Sequence, residues 1–159
     1  MSIPDFVLEL RKAIGHKPLW LSGTTAVIYR GDEILLIRRA EDEEWSPVTG
    51  VIDPGEEPAD TAVREAMEEA GVVIAVQRLC SISATPTITY DNGDQARYID
   101  HTFRCRYVSG EPRPDQEETT DVRWFPVDDM PDLKPHFLER IEAARSETGP
   151  AKFRQNLCG

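Results

Sequence analysis

Residues 50–72 read Gly50-Val51-Ile52-Asp53-Pro54-Gly55-Glu56-Glu57-Pro58-Ala59-Asp60-Thr61-Ala62-Val63-Arg64-Glu65-Ala66-Met67-Glu68-Glu69-Ala70-Gly71-Val72. Pro54-Gly55 suits the centre of a type II turn, because glycine accepts the positive φ that the third position demands. Pro58 suits the first turn of a helix, where no N–H is needed, and Gly71 suits the left-handed residue just past its end. A loop, a short helix over residues 59–70 and a second loop follow. At about 100° per residue, Ala59, Ala62, Val63, Ala66, Met67 and Ala70 form one continuous sector, expected to face inward. Glu65, Glu68 and Glu69 fall together beside it.

Like charges spaced three and four apart destabilise an isolated helix by roughly 0.2–0.5 kcal/mol per pair. A solvated acidic face would be the plain reading. Such faces usually alternate in sign, however, and this one carries only Arg64 and no lysine. A divalent cation would relieve the repulsion. Carboxylate oxygens are hard ligands that suit Mg²⁺ or Mn²⁺ over zinc, with substrate phosphate completing the shell.

Gly50, Glu56, Arg64, Glu65, Glu68, Glu69, Gly71 and Val72 match, at every spacing, the Nudix box G-x5-E-x7-R-E-U-x-E-E-x-G-U, in which U is aliphatic. Ala66 is smaller than the usual residue at its U position. The segment resembles the Nudix family, MutT-like members included. That resemblance implies an α+β fold, an α/β/α sandwich around a mixed β-sheet, and Mg²⁺-dependent hydrolysis of the phosphoanhydride bond of a nucleoside diphosphate linked to another moiety. Glu65, Glu68 and Glu69 would ligate metal or assist the attacking water, Arg64 would orient the first of them, and Glu56 would support the metal site. The family commonly adds an acid from a loop across the sheet, and Glu118 resembles it, with Glu117 as the alternative. A backbone carbonyl just before the first box glycine, here Thr49, is a further ligand by the same resemblance. Many members carry glycine at that position.

Phosphoanhydride hydrolysis needs charge neutralisation on the bridging phosphates and a positioned water, both of which clustered Mg²⁺ supplies. Arg38 and Arg39 close a strand just ahead of the acidic loop and could reach substrate phosphate, since guanidinium matches phosphate geometry. Pairing with the neighbouring carboxylates is the competing role. Trp45 could stack on a base or pack under residues 46–50. His101 and His136 join no cluster and read as structural or surface residues. Pro86 lies fifteen residues after Gly71, resembling the downstream proline of ADP-ribose pyrophosphatases. Nucleoside triphosphates are the other substrate class, and a catalytically silent nucleotide sensor is the other function. A calcium loop is disfavoured, because the alternating D-x-D-x-D-G pattern is absent.

Outward from this segment, the rest of the chain reads as one domain. The 159 residues carry 18 Lys+Arg against 29 Asp+Glu, a net charge of −11. That balance opposes binding of bulk nucleic acid, whose backbone attracts Lys/Arg patches. Residues 41–69 hold eleven acids and one base, so nearly all of the net charge sits there. Charge-free stretches at residues 18–29 and 79–90 are too short to span a bilayer, and Asp5 and Glu9 stand where a signal peptide would be basic. The expectation is a cytoplasmic protein without membrane contact, acting on a small nucleotide. Homodimers are common in the resembled family. Cys80, Cys105 and Cys158 form no CxxC pair and are expected as free thiols.

Residues 1–16 read as an amphipathic helix closed by Gly15 and packed on the domain, residues 17–146 as the Nudix hydrolase domain, and residues 147–159 as a polar tail. Residues 24–29 and 33–37 flank Gly31-Asp32 as a hairpin. Residues 72–83, 96–108 and 121–125 read as strands, residues 85–95 and 110–120 as loops, and residues 133–145 as a last helix.

Overall fold

The computed structural model describes residues 3–156. Its centre is a long strand, β1 (Leu19–Arg30), which turns through Gly31 (φ 58°) and Asp32 into β2 (Glu33–Arg39). Arg30 faces Glu33 and Ile28 faces Leu35 across this hairpin, in the register that a two-residue turn imposes. Two short strands that the sequence pattern did not announce follow, β3 (Trp45–Ser46) on β2 and β4 (Val48–Val51) on β1. They form because β1 extends beyond the hairpin and leaves backbone groups at Gly23 to Ala26 that need partners.

Helix α2 (Pro58–Ala70) comes next, with Pro58 in its first turn and Gly71 in the left-handed conformation (φ 70°) at its end. Strands β5 (Val73–Ala84), β6 (Ile88–Thr89), β7 (Gln95–Ser109) and β8 (Thr119–Pro126) complete the sheet, and α3 (Pro135–Ala143) closes the domain. The expected loop at residues 85–95 therefore contains a short strand. Strands run in the order β3-β2-β1-β7-β5, with β4 on β1, β6 on β7 and β8 on β2. The β1–β7 pair is parallel and the other pairs are antiparallel, so the sheet is mixed.

Helix α2 packs on one face over Ala26, Ile28, Leu35 and Phe103, and α3 on the other over Val27, Ile34 and Leu36. Helix α1 (Asp5–Ile14) covers one end of the α3 side through Val7 against Leu21 and Ala96. This is the α+β sandwich that the sequence implied. Beyond α3, Lys152 donates its N–H to the Cys80 carbonyl and accepts from the Ile82 N–H, extending the edge of β5. Cys80 and Cys105 are buried free thiols, and Cys158 lies outside the described residues. No described helix is long and apolar enough to cross a membrane.

Candidate active site

Helix α2 does not bury the sector that its apolar residues mark out. Ala62, Ala66 and Ala70 face the sheet as expected, but Val63 and Met67 are exposed while Glu65 and Glu69 are buried. The helix is thus turned toward its carboxylates. Two local features allow this. A Cβ on Gly50, at the start of the motif, would collide with Oε1, Cδ and Cγ of Glu65, so only glycine leaves room for that carboxylate against β4. Arg64 supplies the second.

The Arg64 guanidinium grips Glu56 at both oxygens (Nε–Oε1 2.7 Å, Nη2–Oε2 2.9 Å) and donates to Glu65 Oε1 (2.9 Å) and Glu68 Oε2 (3.1 Å). A further N–H reaches the Val51 carbonyl at 3.3 Å. Glu56 also accepts from the Thr61 hydroxyl (2.8 Å) and the Asp53 N–H (3.2 Å). With Arg64 beside it as the largest influence, its carboxyl is lowered to about 2. Glu56 is thereby committed to holding Arg64, so its support of the site runs through that guanidinium and not through direct ligation. The Pro54-Gly55 turn, closed by the Glu56 N–H on the Asp53 carbonyl (3.0 Å) with Gly55 at φ 91°, delivers it there.

Glu65 and Glu69 stand differently. Burial, against the opposing pull of Arg64, pushes Glu65 up to about 7. Burial, then the charges of Glu65 and Glu118, push Glu69 well above the ordinary range, and its carboxyl is hydrogen-bonded to Glu118. Glu69 Oε2 is buried with no hydrogen-bond partner. Glu118 arrives on a loop organised by Asp115, whose Oδ1 accepts the N–H groups of Glu117, Glu118 and Thr119, each at 2.9 Å. The Thr119 hydroxyl locks that loop to the end of α2 by donating to the Glu69 carbonyl (2.8 Å). Of the two loop acids, Glu118 is half-buried beside Glu69 and Glu117 is exposed. Among the described residues, no three Asp, Glu, His or Cys side chains are already disposed to hold a metal ion. Arg64 sits between Glu65 and Glu68. The orphaned oxygen of Glu69 and the crowding of Glu65, Glu69 and Glu118 nevertheless suit a hard divalent cation, which would replace the protons that this cluster otherwise retains.

Thr49 and Gly50 also line a cavity of about 280 Å³ that opens toward α3. Its cations are Arg39, Lys134 and the buried Arg140, the last paired with Asp100 (3.4 Å) and Thr25 (3.2 Å). Arg39 and Lys134 share Asp42 as their partner, Lys134 at 2.9 Å. Arg38 points elsewhere, to the Glu43 carbonyl (2.9 Å), and is not part of the cavity wall. Trp45 packs edge-on against Phe125 (5.0 Å between ring centroids) in the core under α3, so the base-stacking role gives way to the packing one. His136, expected as a bystander, does line the cavity, and burial followed by Arg140 lowers it below 6.5. His101 is structural, with Nδ1 3.0 Å from the Gly23 carbonyl. Lys134, Arg140, Tyr90 and Tyr98 of this cavity escaped the sequence reading, because only the tertiary fold brings them together.

A family model described as the NUDIX domain matches residues 20–145. The chain belongs to the Nudix family. Among curated relatives, the Nudix chain is 38% identical over 113 residues to the NAD-capped RNA hydrolase NudC of Pseudomonas syringae pv. syringae, covering 67% of this chain and 36% of the relative. It is 30% identical over 126 residues to that of Stutzerimonas stutzeri, covering 76% of this chain and 41% of the relative. The chain therefore spans well under half the length of these relatives. Among solved structures, an ADP-ribose pyrophosphatase from Streptococcus suis superposes with a TM-score of 0.66 at 29% identity, covering 84% of this Nudix chain and 98% of the other.

Proposed function

We propose that this Nudix domain hydrolyses the phosphoanhydride bond of a nucleoside diphosphate linked to another moiety, with Mg²⁺ as the metal and Mn²⁺ able to replace it. The observation that carries this reading is the carboxylate cluster of buried Glu65 and Glu69 with half-buried Glu118, and its unpartnered Glu69 oxygen, beside a cavity whose wall holds Arg39, Lys134 and Arg140. One side can hold metal and the other anionic phosphate. The resemblance to an ADP-ribose pyrophosphatase and to NAD-capped RNA hydrolases supports a substrate with a diphosphate bridge over a nucleoside triphosphate.

In this reading Glu65, Glu68 and Glu69, with the Thr49 carbonyl, would hold the metal, which when bound would supply charge neutralisation on the bridging phosphates and lower the pKa of a water. Arg64 fixes one oxygen of Glu65 and leaves the other for its task, and Glu56 fixes Arg64 in turn. Glu118, held by the Asp115 loop, can take a proton from the attacking water. Arg39 and Lys134 exchange Asp42 for substrate phosphate, for which guanidinium geometry is suited.

The test is a Mg²⁺-dependent panel of ADP-ribose, NAD, nucleotide sugars and nucleoside triphosphates, with product identification and Glu69→Gln as the blank. A preferred diphosphate-bridged substrate, lost in the blank while the fold persists, is expected. Near-normal turnover by Glu69→Gln would sink the site assignment. Tight binding without turnover in the wild type would instead make the domain a nucleotide sensor.

A further inference from the structure

A second cavity, of about 300 Å³, lies beneath α1 and abuts the first. The two share Glu41, Val51, Tyr90 and Tyr98 in their walls. Tyr90 and Tyr98 meet hydroxyl to hydroxyl at 2.6 Å, so a pair of aromatic rings stands where one space passes into the other. Ligand pockets for drug-sized molecules run from roughly 300 to 1,000 Å³. Each cavity alone is at the bottom of that range, and the two together suit an elongated ligand.

Their chemistry differs in sign. The first cavity presents Arg39, Lys134 and Arg140 against Glu41 and Asp100. The second has an apolar bed of Val7, Leu21, Val51 and Ala96, with Glu41, Asp91 and Asp94 at its edge against Arg11, the one cation among the described residues that line it. Arg11 is itself spent, donating to the carbonyls of Gly15 (3.1 Å), Lys17 (2.5 Å) and Gln95 (2.7 Å) and pairing through its Nε with Asp94 (3.5 Å), which His16 also meets (2.8 Å). A phosphate group would meet carboxylates here and, among the described residues of the wall, no free cation. An aromatic heterocycle finds apolar walls, tyrosine rings and acceptors for its amide or amine hydrogens, and a cationic ring gains further from Glu41 and Asp91 on the rim.

We propose that the cavity under α1 is a subsite for a second base, so that the preferred substrates of this domain carry a base at each end of the diphosphate. The triphosphate tail of a mononucleotide cannot use it. The proposal rests on the phosphoanhydride hydrolysis argued above, and it gives α1 a role in selectivity.

NAD and ADP-ribose are the probes, because they differ only in the second base. Titration calorimetry of the full chain in EDTA reads binding with turnover suppressed. NAD is expected to bind about tenfold or more tightly than ADP-ribose, the gain of one base stacked on aromatic rings. Val7→Trp, which fills the cavity, is expected to bring NAD down to the ADP-ribose level and leave ADP-ribose within about twofold. Asp91→Asn, an exposed substitution that does not threaten the fold, is expected to weaken NAD alone. Equal affinity of the wild type for the two probes, binding of neither, or a Val7→Trp effect shared by both would overturn the subsite. ADP-ribose hydrolysis with Mg²⁺, measured on the same preparation, separates the two claims. Hydrolysis without NAD preference overturns only the subsite, and NAD preference without hydrolysis of either probe overturns only the catalytic reading.

Discussion

The carboxylate of Glu65 occupies the volume that a Cβ on Gly50 would take: Oε1, Cδ and Cγ of the glutamate all stand within collision range of that position. Gly50 has no positive φ, so the backbone itself would tolerate alanine. The glycine is required for space.

Gly50→Ala is therefore expected to leave the fold and β4 in place while forcing Glu65 out of position. A displacement of about 1 Å at a reacting centre can cost on the order of 100-fold in rate. The measurement is kcat on the preferred substrate beside a thermal melt. A melt close to wild type with a loss of that order is the expected pair of results. Undiminished kcat would mean that Glu65 has no part in turnover.

Arg64 joins Glu56, Glu65 and Glu68 through one guanidinium. Arg64→Ala leaves the buried Glu65 and the anchoring Glu56 without their cation, and removal of one partner from such a pair costs about 2–4 kcal/mol. Lysine restores the charge but not the planar fork that spans both oxygens of Glu56. Arg64→Lys is expected to recover part of the stability and little of the activity. Full recovery of activity by lysine would show that charge alone is needed.

The legible parts of the fold were those with local punctuation. Gly31-Asp32, Pro58 and Gly71 each fix a backbone conformation, and the hairpin and α2 lie where these residues put them. Strands β3 and β4 are dictated by the unpaired edges of β2 and β1, and nothing within residues 45–51 alternates strongly enough to announce them. The rotation of α2 toward Glu65 and Glu69 depends on an absent side chain at Gly50 and on Arg64 bridging to Glu56, both contacts across the motif. Choosing between Arg38 and Arg39 needed strand register, since neighbours on a strand point to opposite faces. Lys134, Arg140, Tyr90 and Tyr98 come from segments far apart in sequence and meet only at the cavity.

Glu65 gives the metal-free protein a pH dependence of definite sign. Its folded-state carboxyl is raised from 4.5 to about 7, chiefly by burial, and Glu69 is raised as well for the same first reason. Between these limits the unfolded chain has released the Glu65 proton that the folded chain still holds, so stability falls as pH rises through that window; the Glu65 contribution then levels off, and the Glu69 contribution acts in the same direction. Metal bound at the cluster must displace those protons. In EDTA, denaturant unfolding should show lower stability at about pH 8 than at about pH 5, and saturating Mg²⁺ should flatten or reverse the difference. Identical pH slopes with and without metal would remove these two carboxylates from the metal site.

Asp115 holds the Glu118 loop through three backbone N–H donors on one oxygen. Partial burial opposes ionisation there, but these donors prevail and keep its carboxyl below the usual range. Asp115→Ala leaves the donors to water and frees the loop, at about 1–2 kcal/mol of stability. Asn keeps an acceptor oxygen in the same place, so Asp115→Asn is expected to retain most of the loop's order. If Glu118 assists the attacking water, Asp115→Ala lowers kcat by misplacing it, Asn rescues kcat, and Asp115→Ala adds almost nothing in a Glu118→Gln background. That non-additivity is what distinguishes a positioning residue from an independent one. Additive losses in the double variant, or no rescue by asparagine, would mean that Asp115 acts on the site by a route other than Glu118.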